Sequence, residues 1–317
     1  MPIKYIGIIT GGTHAQSNIN TDHAHHIGTA LEKNHKIAYY DLSQKKDFDG
    51  LIEDRRNGKL DIVFNNAAGK QGGDGTVEGL LELLGIPFVG SDTLATAVAF
   101  DKKTTKTVVK AAGIPVVRGM TITGQEFLDE AEEIMERLAH RIKVPMIIKA
   151  SQGSDSIGVS LVKKEQEIIP AIRTALKEDD TIIIEDFINR KAEITCMVIG
   201  NGDNATALEP VERVYETEIL YPDAKRSYAV PTLSPEILEK IKKFSVKAHR
   251  VVGCNDYSRS DFLIGKKGTI YFLELNAHAG LGNSGPTAFA TRQTLHWTYE
   301  QMIEQILNAA LVRQNLS

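Results

Sequence analysis

The chain has 317 residues, 42% of them hydrophobic and 25% charged, with a net charge of -4. That length exceeds what one hydrophobic core ordinarily holds, so two or three domains are expected, and the mild negative charge gives no electrostatic reason for nucleic acid or an anionic membrane as partner. No apolar run approaches bilayer-spanning length, and MPIKYIGIIT followed by GGTH reads as a strand and a turn rather than a secretory signal, so a cytoplasmic protein is expected.

In chain order, IKYIGII is a short apolar run ending in glycines, and TDHAHHIGTALEKN follows with helical character. KIAYYDL, a polar helix and LDIVFNN then complete a strand-helix-strand-helix-strand alternation, the pattern of a parallel sheet with crossover helices. After GKQGGDGT comes VEGLLELLGI, an amphipathic helix with Gly just past its end, then PFVGS and one helix from about Leu94 to Ala112. A first α/β domain over 1–117 is expected. A smaller unit over 118–190 reads as helix (GQEFLDEAEEIMERLAHRI), strand (VPMIIKAS), strand (IGVSLVKK), helix (EQEIIPAIRTALKE) and strand (TIIIEDFI).

From 191 to 317, AEITCMVIG, TALEPVERV, YSRSDFLIG and TIYFLELN read as strands of an antiparallel sheet, with helices from about Pro235 to Val252 and Leu295 to Val312. Between Val214 and Val230 lies YETEILYPDAKRSYA, polar and irregular; a connection that long is more often a functional lid than a structural tie. Cys196 and Cys254 lie in apolar segments and read as buried free thiols of a reducing compartment. His23, His25 and His26 read as surface or capping histidines.

Three segments carry chemistry. In DFLIGKKGTIYFLELN, Glu274 and Asn276 are two apart and share one strand face, and Asp261 can stand opposite them across the GKKG turn. Burying such a cluster is costly unless a hard cation offsets it, and magnesium suits oxygen donors shared with substrate phosphates. A polar face of an amphipathic hairpin explains the same residues. In IIKASQGSDSIGVS, Lys149 ends an apolar strand, and a loop with Gly153, Ser154, Ser156 and Gly158 lets backbone amides approach an anion; a flexible hairpin is the alternative. In TIIIEDFINRKAEITC, Glu185 and Glu193 can accept hydrogen bonds from an adenine amino group or a ribose hydroxyl, and surface solvation explains them as well. Arg259, on the face of Asp261, is placed to stabilise an oxyanion or bind a carboxylate.

Along nearly its whole length the chain resembles an ATP-grasp ligase of the D-alanine-D-alanine ligase family. The matching blocks are IGIITGGT, DGTVEGLLELLGIPFVGSDTLATAVAFDKKTTK, KAAGIPVVRG, IIIEDF, YSRSDF and LELN. The resemblance implies a parallel-sheet N-terminal domain, a small central α+β domain and a C-terminal antiparallel sheet with helices. Lys102, Lys149 and the Ser156 loop would meet ATP phosphates, Glu185 and Phe187 would frame adenine, and Glu193 would hold the ribose. Asp261, Glu274 and Asn276 would bind two Mg2+ ions, with Mn2+ as a substitute, while Arg259 and the Gly280 amide would stabilise a tetrahedral oxyanion. The implied chemistry is γ-phosphoryl transfer to a carboxylate, then attack of an amine on the acylphosphate, in which positioning and charge neutralisation carry the rate. A homodimer acting on small-molecule substrates is also implied.

Departures from the family pattern gather at the substrate positions. Gln16 stands where the family has a glutamate for the first amino acid's ammonium, Ala68 where it has a histidine, and Gly73 where it has an acidic residue. Asp155 replaces a loop serine, Leu220 and Tyr221 align with a lid lysine and tyrosine, and Lys225 is a substitute for that lysine. Ala277 and Ala279 replace threonine and proline, and Gly285, beside Ser284, replaces a serine that contacts the second amino acid. Exchanging Glu for Gln removes a charge-assisted bond of ~1.5–3 kcal/mol. The expectation is therefore a ligase with altered substrates; an authentic D-alanine-D-alanine ligase and a nucleotide-binding module without catalysis are the alternatives.

Overall fold

The computed structural model describes residues 3–11, 17–153, 156–221 and 224–316. Apolar runs alternating with helices give the first sheet: β1 (Tyr5–Thr10), α1 (Ser17–Leu31), β2 (Lys36–Asp41), α2 (Lys45–Arg56), β3 (Ile62–Asn65), α3 (Thr76–Leu83) and β4 (Phe88–Val89). The strands run parallel in the order β2-β1-β3-β4. Gly85, just past α3, takes a left-handed φ of 60°, which only glycine adopts at no steric cost.

The single helix expected from Leu94 to Ala112 is two, α4 (Thr93–Phe100) and α5 (Lys102–Ala111). Asp101 breaks it: its backbone is extended, its Oδ1 accepts from the Thr104 amide at 2.7 Å, and its Oδ2 accepts from the Ser151 hydroxyl at 3.0 Å. The tie to a segment fifty residues away redirects the chain, and Lys102 emerges as the first residue of the new helix. Both helices contact the third sheet, and Ala99, Val109 and Ile114 share its core although they precede Val117.

The central unit holds β5 (Gly119–Thr123), α6 (Gly124–Asp129), α7 (Ala131–Arg141), β6 (Met146–Ala150), β7 (Ser160–Val162), α8 (Ile168–Ala175) and β8 (Thr181–Asp186), an antiparallel sheet in the order β5-β8-β6-β7. Here too one expected helix is two, broken at Glu130, whose backbone leaves the helical region.

The third sheet contains β9 (Arg190–Ile199), β10 (Thr206–Ala207), β11 (Val211–Val214), β12 (Ser227–Ala229), β13 (Tyr257–Gly265) and β14 (Ile270–Asn276), antiparallel in the order β12-β11-β9-β13-β14 with β10 beside β9. TALEPVERV forms two short strands around Pro210, which has no amide to donate to a ladder. The period of two sorts the faces, broken once by a bulge in β14 that sends Phe272 and Glu274, two apart, to opposite sides. Ile194, Cys196, Phe262, Ile264 and Phe272 bury against α5 and α9 (Pro235–Val252), while Glu193, Thr195, Arg259, Asp261, Glu274 and Asn276 face the other way. Cys196 and Cys254 are buried free thiols.

Two C-terminal helices follow, α10 (Pro286–Leu295), which the sequence reading did not anticipate, and α11 (Tyr299–Arg313). The α11 residues Met302, Ile303, Ile306, Leu307, Ala310 and Leu311 join Ile6, Ile8, Ile27 and Phe64 in one core, so the last helix covers the first sheet. Arg313 fastens the contact, donating to the carbonyls of Phe88 and Gly90 and pairing with the buried Asp256 at 2.7 Å.

Candidate functional site

A cavity of about 800 Å³ opens where the three sheets meet. One part of its wall is built by two lysines and the glycine loop. Lys149, on the buried strand β6, stands 2.8 Å from Glu185 on β8, because the two strands pair antiparallel with their side chains on one face. Lys106, one helical turn beyond Lys102 on α5, closes on the other Glu185 oxygen. Burial opposes ionisation of Glu185, yet Lys106 and Lys149 overcome it and hold its carboxyl down to about 2. Burial outweighs the Glu185 carboxylate at Lys106 and brings its ammonium down to about 8, whereas Lys149 stays above the ordinary lysine range through Glu185 despite burial.

Lys102 lines the cavity, with its Nζ 3.7 Å from Glu274 and donating to the Gly153 carbonyl. Gly153 and Ser156, on the loop after β6, line it as well; Ser156 is held at a φ of 60°, unusual for a residue with a side chain. Phe187 and Ile188, just past β8, add an apolar wall. Glu185 and Glu193 are at the wall but are already engaged: Glu193 accepts from Arg213 at 2.7 Å and from the Tyr215 hydroxyl. Burial raises the Glu193 carboxyl above its ordinary value, against the pull of Arg213.

On the third sheet, Asp261 pairs directly with Glu274 across β13 and β14, next to a bulge between Asp261 and Phe262. Like charges directly opposite repel, and the chain offsets this with cations. Arg259 grips Asp261 through Nε and Nη2, each at 3.1 Å, Arg213 approaches at 3.2 Å, and the Thr195 hydroxyl donates at 2.6 Å. Burial works against the Asp261 carboxylate, and Arg259 and Arg213 outweigh it, bringing the carboxyl down to about 2. Arg213 is itself raised by Asp261 and Glu193 in spite of burial.

Asp261 is fully buried and lies behind the wall, whereas Arg259, Glu274 and Asn276 line the cavity. The Asn276 amide stands 3.4 Å from Glu274. A carboxylate and an amide oxygen on the cavity wall are hard donors that fit Mg2+ or Mn2+. Among the described residues no three His, Cys, Asp or Glu side chains gather at metal-binding distance.

Gly280 and Ser284 line the far end of the cavity, where Gly285 and Pro286 begin α10. Proline at the first helical position and free amides at the following ones make that end receptive to an anion. Ala68 and Gly73 also line the cavity, so the side chains absent there leave open space. Gln16 and Asp155 lie outside the described residues. Tyr221 is exposed and is not part of the wall, nor is Lys225; Glu218, Ile219 and Leu220 from the same segment are, and so is Arg226. The segment is anchored by Arg190, which donates to the Thr217 carbonyl at 2.9 Å, and by the Lys163–Glu218 pair.

Sequence reasoning missed several residues. Lys106 was legible as the i+4 partner of Lys102 on one helix face. Arg213 and Tyr215 carried the period of two, but nothing local paired them with Glu193. His278 lines the cavity beside Asn276, with Nδ1 3.6 Å from the buried Glu78 and Nε2 at the Asn65 carbonyl. His23 departs from the surface expectation: it is half-buried and lines the cavity, whereas His25 and His26 are exposed.

Comparison with known proteins matches residues 2–91 to a family model described as the D-ala D-ala ligase N-terminus and residues 108–308 to one described as the D-ala D-ala ligase C-terminus. The D-alanine--D-alanine ligase of Carboxydothermus hydrogenoformans is 31% identical over 316 residues, covering 96% of this chain and 98% of its own. The crystal structure of D-alanine--D-alanine ligase from Bacillus anthracis superposes with a TM-score of 0.80 at 26% identity, covering 99% of this chain and all of that one. The D-alanine-D-alanine ligase from Coxiella burnetii shares the fold with a TM-score of 0.83 at 24% identity.

Proposed function

Because the chain belongs to the D-alanine-D-alanine ligase family of ATP-dependent carbon-nitrogen ligases, we propose that it joins two small amino acids, or a related carboxylate and amine, through an acylphosphate, with a first-substrate pocket altered from that of its relatives. The observation that carries the reading is a single cavity in which Lys102 and Lys149 face Arg259, Glu274 and Asn276. ATP bound with Mg2+ would supply the phosphoryl group and leave ADP.

The chain's own residues bind, orient and neutralise. Lys102 and Lys149 meet phosphate oxygens as point charges, and the Ser156 loop offers backbone amides. Glu274 and Asn276 would hold the metal, with Asp261 behind them as the charge that fixes Arg259. Arg259 and the Gly280 amide face the oxygen that gains charge during amine attack. Ser284 and the start of α10 take the carboxylate of the amine substrate. Ala68 and Gly73, small at the wall, support a donor larger than alanine or one whose amine is held differently. A cytoplasmic homodimer completes the proposal; no helix among the described residues is long and apolar enough to cross a membrane.

The test is ADP release with Mg2+ and ATP across amino acids and small carboxylates, singly and in pairs, with products identified by mass spectrometry. Turnover of a pair other than two D-alanines supports the altered pocket. D-alanine alone yielding its dipeptide overturns that part of the proposal and leaves the ligase activity intact.

A further inference from the structure

Two buried ammoniums share one carboxylate at the cavity wall. Lys149 of β6 stands 2.8 Å from one Glu185 oxygen, and Lys106 of α5 closes on the other. All three residues are almost wholly buried. The chain makes room for the carboxylate: Gly119 pairs with Glu185 across β5 and β8, and a Cβ there would fall 2.9 Å from the Glu185 Cγ and 2.6 Å from the Ile184 carbonyl oxygen. Gly119 has no left-handed φ, so the close approach of β8 requires glycine there and turn geometry does not.

Charge decides what such a triad can do. One lysine against Glu185 would make a neutral pair, whereas the second leaves one positive charge in excess. Burial brings the Lys106 ammonium down only to about 8, and Lys149 stays above the ordinary lysine range, so both are charged at neutral pH. A buried excess charge is costly without a counterion. Lys149 and Glu185 line the cavity, and Lys106 is not part of its wall, so an anion that offsets the excess arrives from the cavity and meets Lys149. On the ligase reading, on which this inference rests, that anion is a phosphate of the nucleotide.

We propose that Lys106 is a positioning residue for nucleotide binding: it occupies one oxygen of Glu185, so that Lys149 keeps charge for a phosphate, and Glu185 serves as the counterion of both lysines in place of an adenine acceptor. Lys149 then makes a charge-assisted bond to a phosphate oxygen without giving up its carboxylate. Without Lys106, Glu185 and Lys149 close into a neutral pair, and the phosphate competes with the carboxylate for a single ammonium. Removing the Glu185 charge as well restores the balance, because one ammonium alone carries the same net charge as two ammoniums and a carboxylate.

The experiment measures the dissociation constant of ATP with Mg2+ by titration calorimetry for the wild-type chain, Lys106→Met, Glu185→Gln and the Lys106→Met/Glu185→Gln double variant, with urea unfolding of each. Lys106→Met is expected to weaken ATP binding by about tenfold or more. Glu185→Gln alone should bind at least as tightly as the wild type, and the double variant should recover most of the loss, a coupling that a purely structural role does not produce. In ADP formation the KM for ATP of Lys106→Met should rise while kcat stays within about threefold of wild type. A Lys106→Met variant that binds ATP as the wild type does, or a double variant that binds no better than Lys106→Met, overturns the proposal. Weakened ATP binding by Glu185→Gln assigns that carboxylate to the adenine and overturns it too. Should Lys106→Met fail to fold, the double variant, which keeps no carboxylate in the triad, carries the test: binding tenfold or more weaker than wild type counts against the proposal. Absence of ATP binding by the folded wild-type chain overturns the ligase reading instead, and this inference with it.

Discussion

Arg213 stands 3.2 Å from Asp261 while the other arm of its guanidinium stands 2.7 Å from Glu193, so one cation on β11 serves two buried carboxylates on β13 and β9. Removing it leaves both with less than their native charge compensation. Arg213→Met is expected to destabilise the chain by ~3–5 kcal/mol, the range for breaking one side of a buried ion pair. Urea unfolding of the two proteins measures it. Arg213→Lys should recover only part of the loss, because a single ammonium lacks the fork that reaches both partners.

Glu185 sits between Lys106 and Lys149, and Asp261 between Arg259 and Arg213, with both carboxyls at about 2 in the folded chain. Each lies below its value in an unfolded chain, so the unfolded state takes up protons first as pH falls. The stability they contribute is fully present above the ordinary carboxylate range and is lost as pH falls toward about 2. Glu185→Gln should therefore unfold with a shallower dependence on pH below ~5 than the wild type, measured by urea midpoints across an acid series. An unchanged slope would show that the lysines do not depress this carboxyl.

His249 shows the same linkage at milder pH. It is buried on α9 with Nδ1 2.8 Å from the Ser258 hydroxyl, and burial lowers its imidazole to about 4, with Asp256 pulling the other way. The folded value lies below the unfolded one, so stability is complete above the ordinary histidine value and falls as pH drops through about 4. A contribution of up to ~1.4 kcal/mol per pH unit is expected within that window. His249→Gln should flatten the stability curve between neutral pH and pH 4 while lowering its plateau. Thermal melting in matched buffers shows whether it does.

Glu274 is a wall residue with 28% of its side chain exposed, unlike the fully buried Asp261. Glu274→Gln should accordingly leave the melting temperature within a few degrees of wild type. It should lower ADP formation by on the order of a hundredfold and shift the Mg2+ titration to higher concentration. A variant that loses stability and activity together, with an unchanged Mg2+ titration, would place Glu274 in the scaffold and not in the metal site.

Period-two and period-3.6 patterning exposed most elements because those periods are local. The parallel alternation of the first sheet and the boundaries of α9 could be read directly. The break between α4 and α5 could not, because Asp101 turns the chain by accepting from Ser151, a residue supplied by another sheet. The same limit applies at the site. Lys149, Glu185, Glu274 and Asn276 declared themselves by polar residues within apolar strands, and the structure brings them to one cavity. Arg213 and His23 carried no such mark: the first acquires meaning from carboxylates on two neighbouring strands, the second from a cavity wall completed by a loop near the other end of the chain.

Coverage of the first sheet by α11 has a consequence for how the protein is made. Ile6 and Ile8 leave the ribosome long before Met302 to Leu311, which share their core. At ~5–20 residues per second, the first strands wait on the order of a quarter to a full minute for their cover. During that interval α1 alone covers this side of the sheet, and the apolar surface that α11 will bury stays open to solvent.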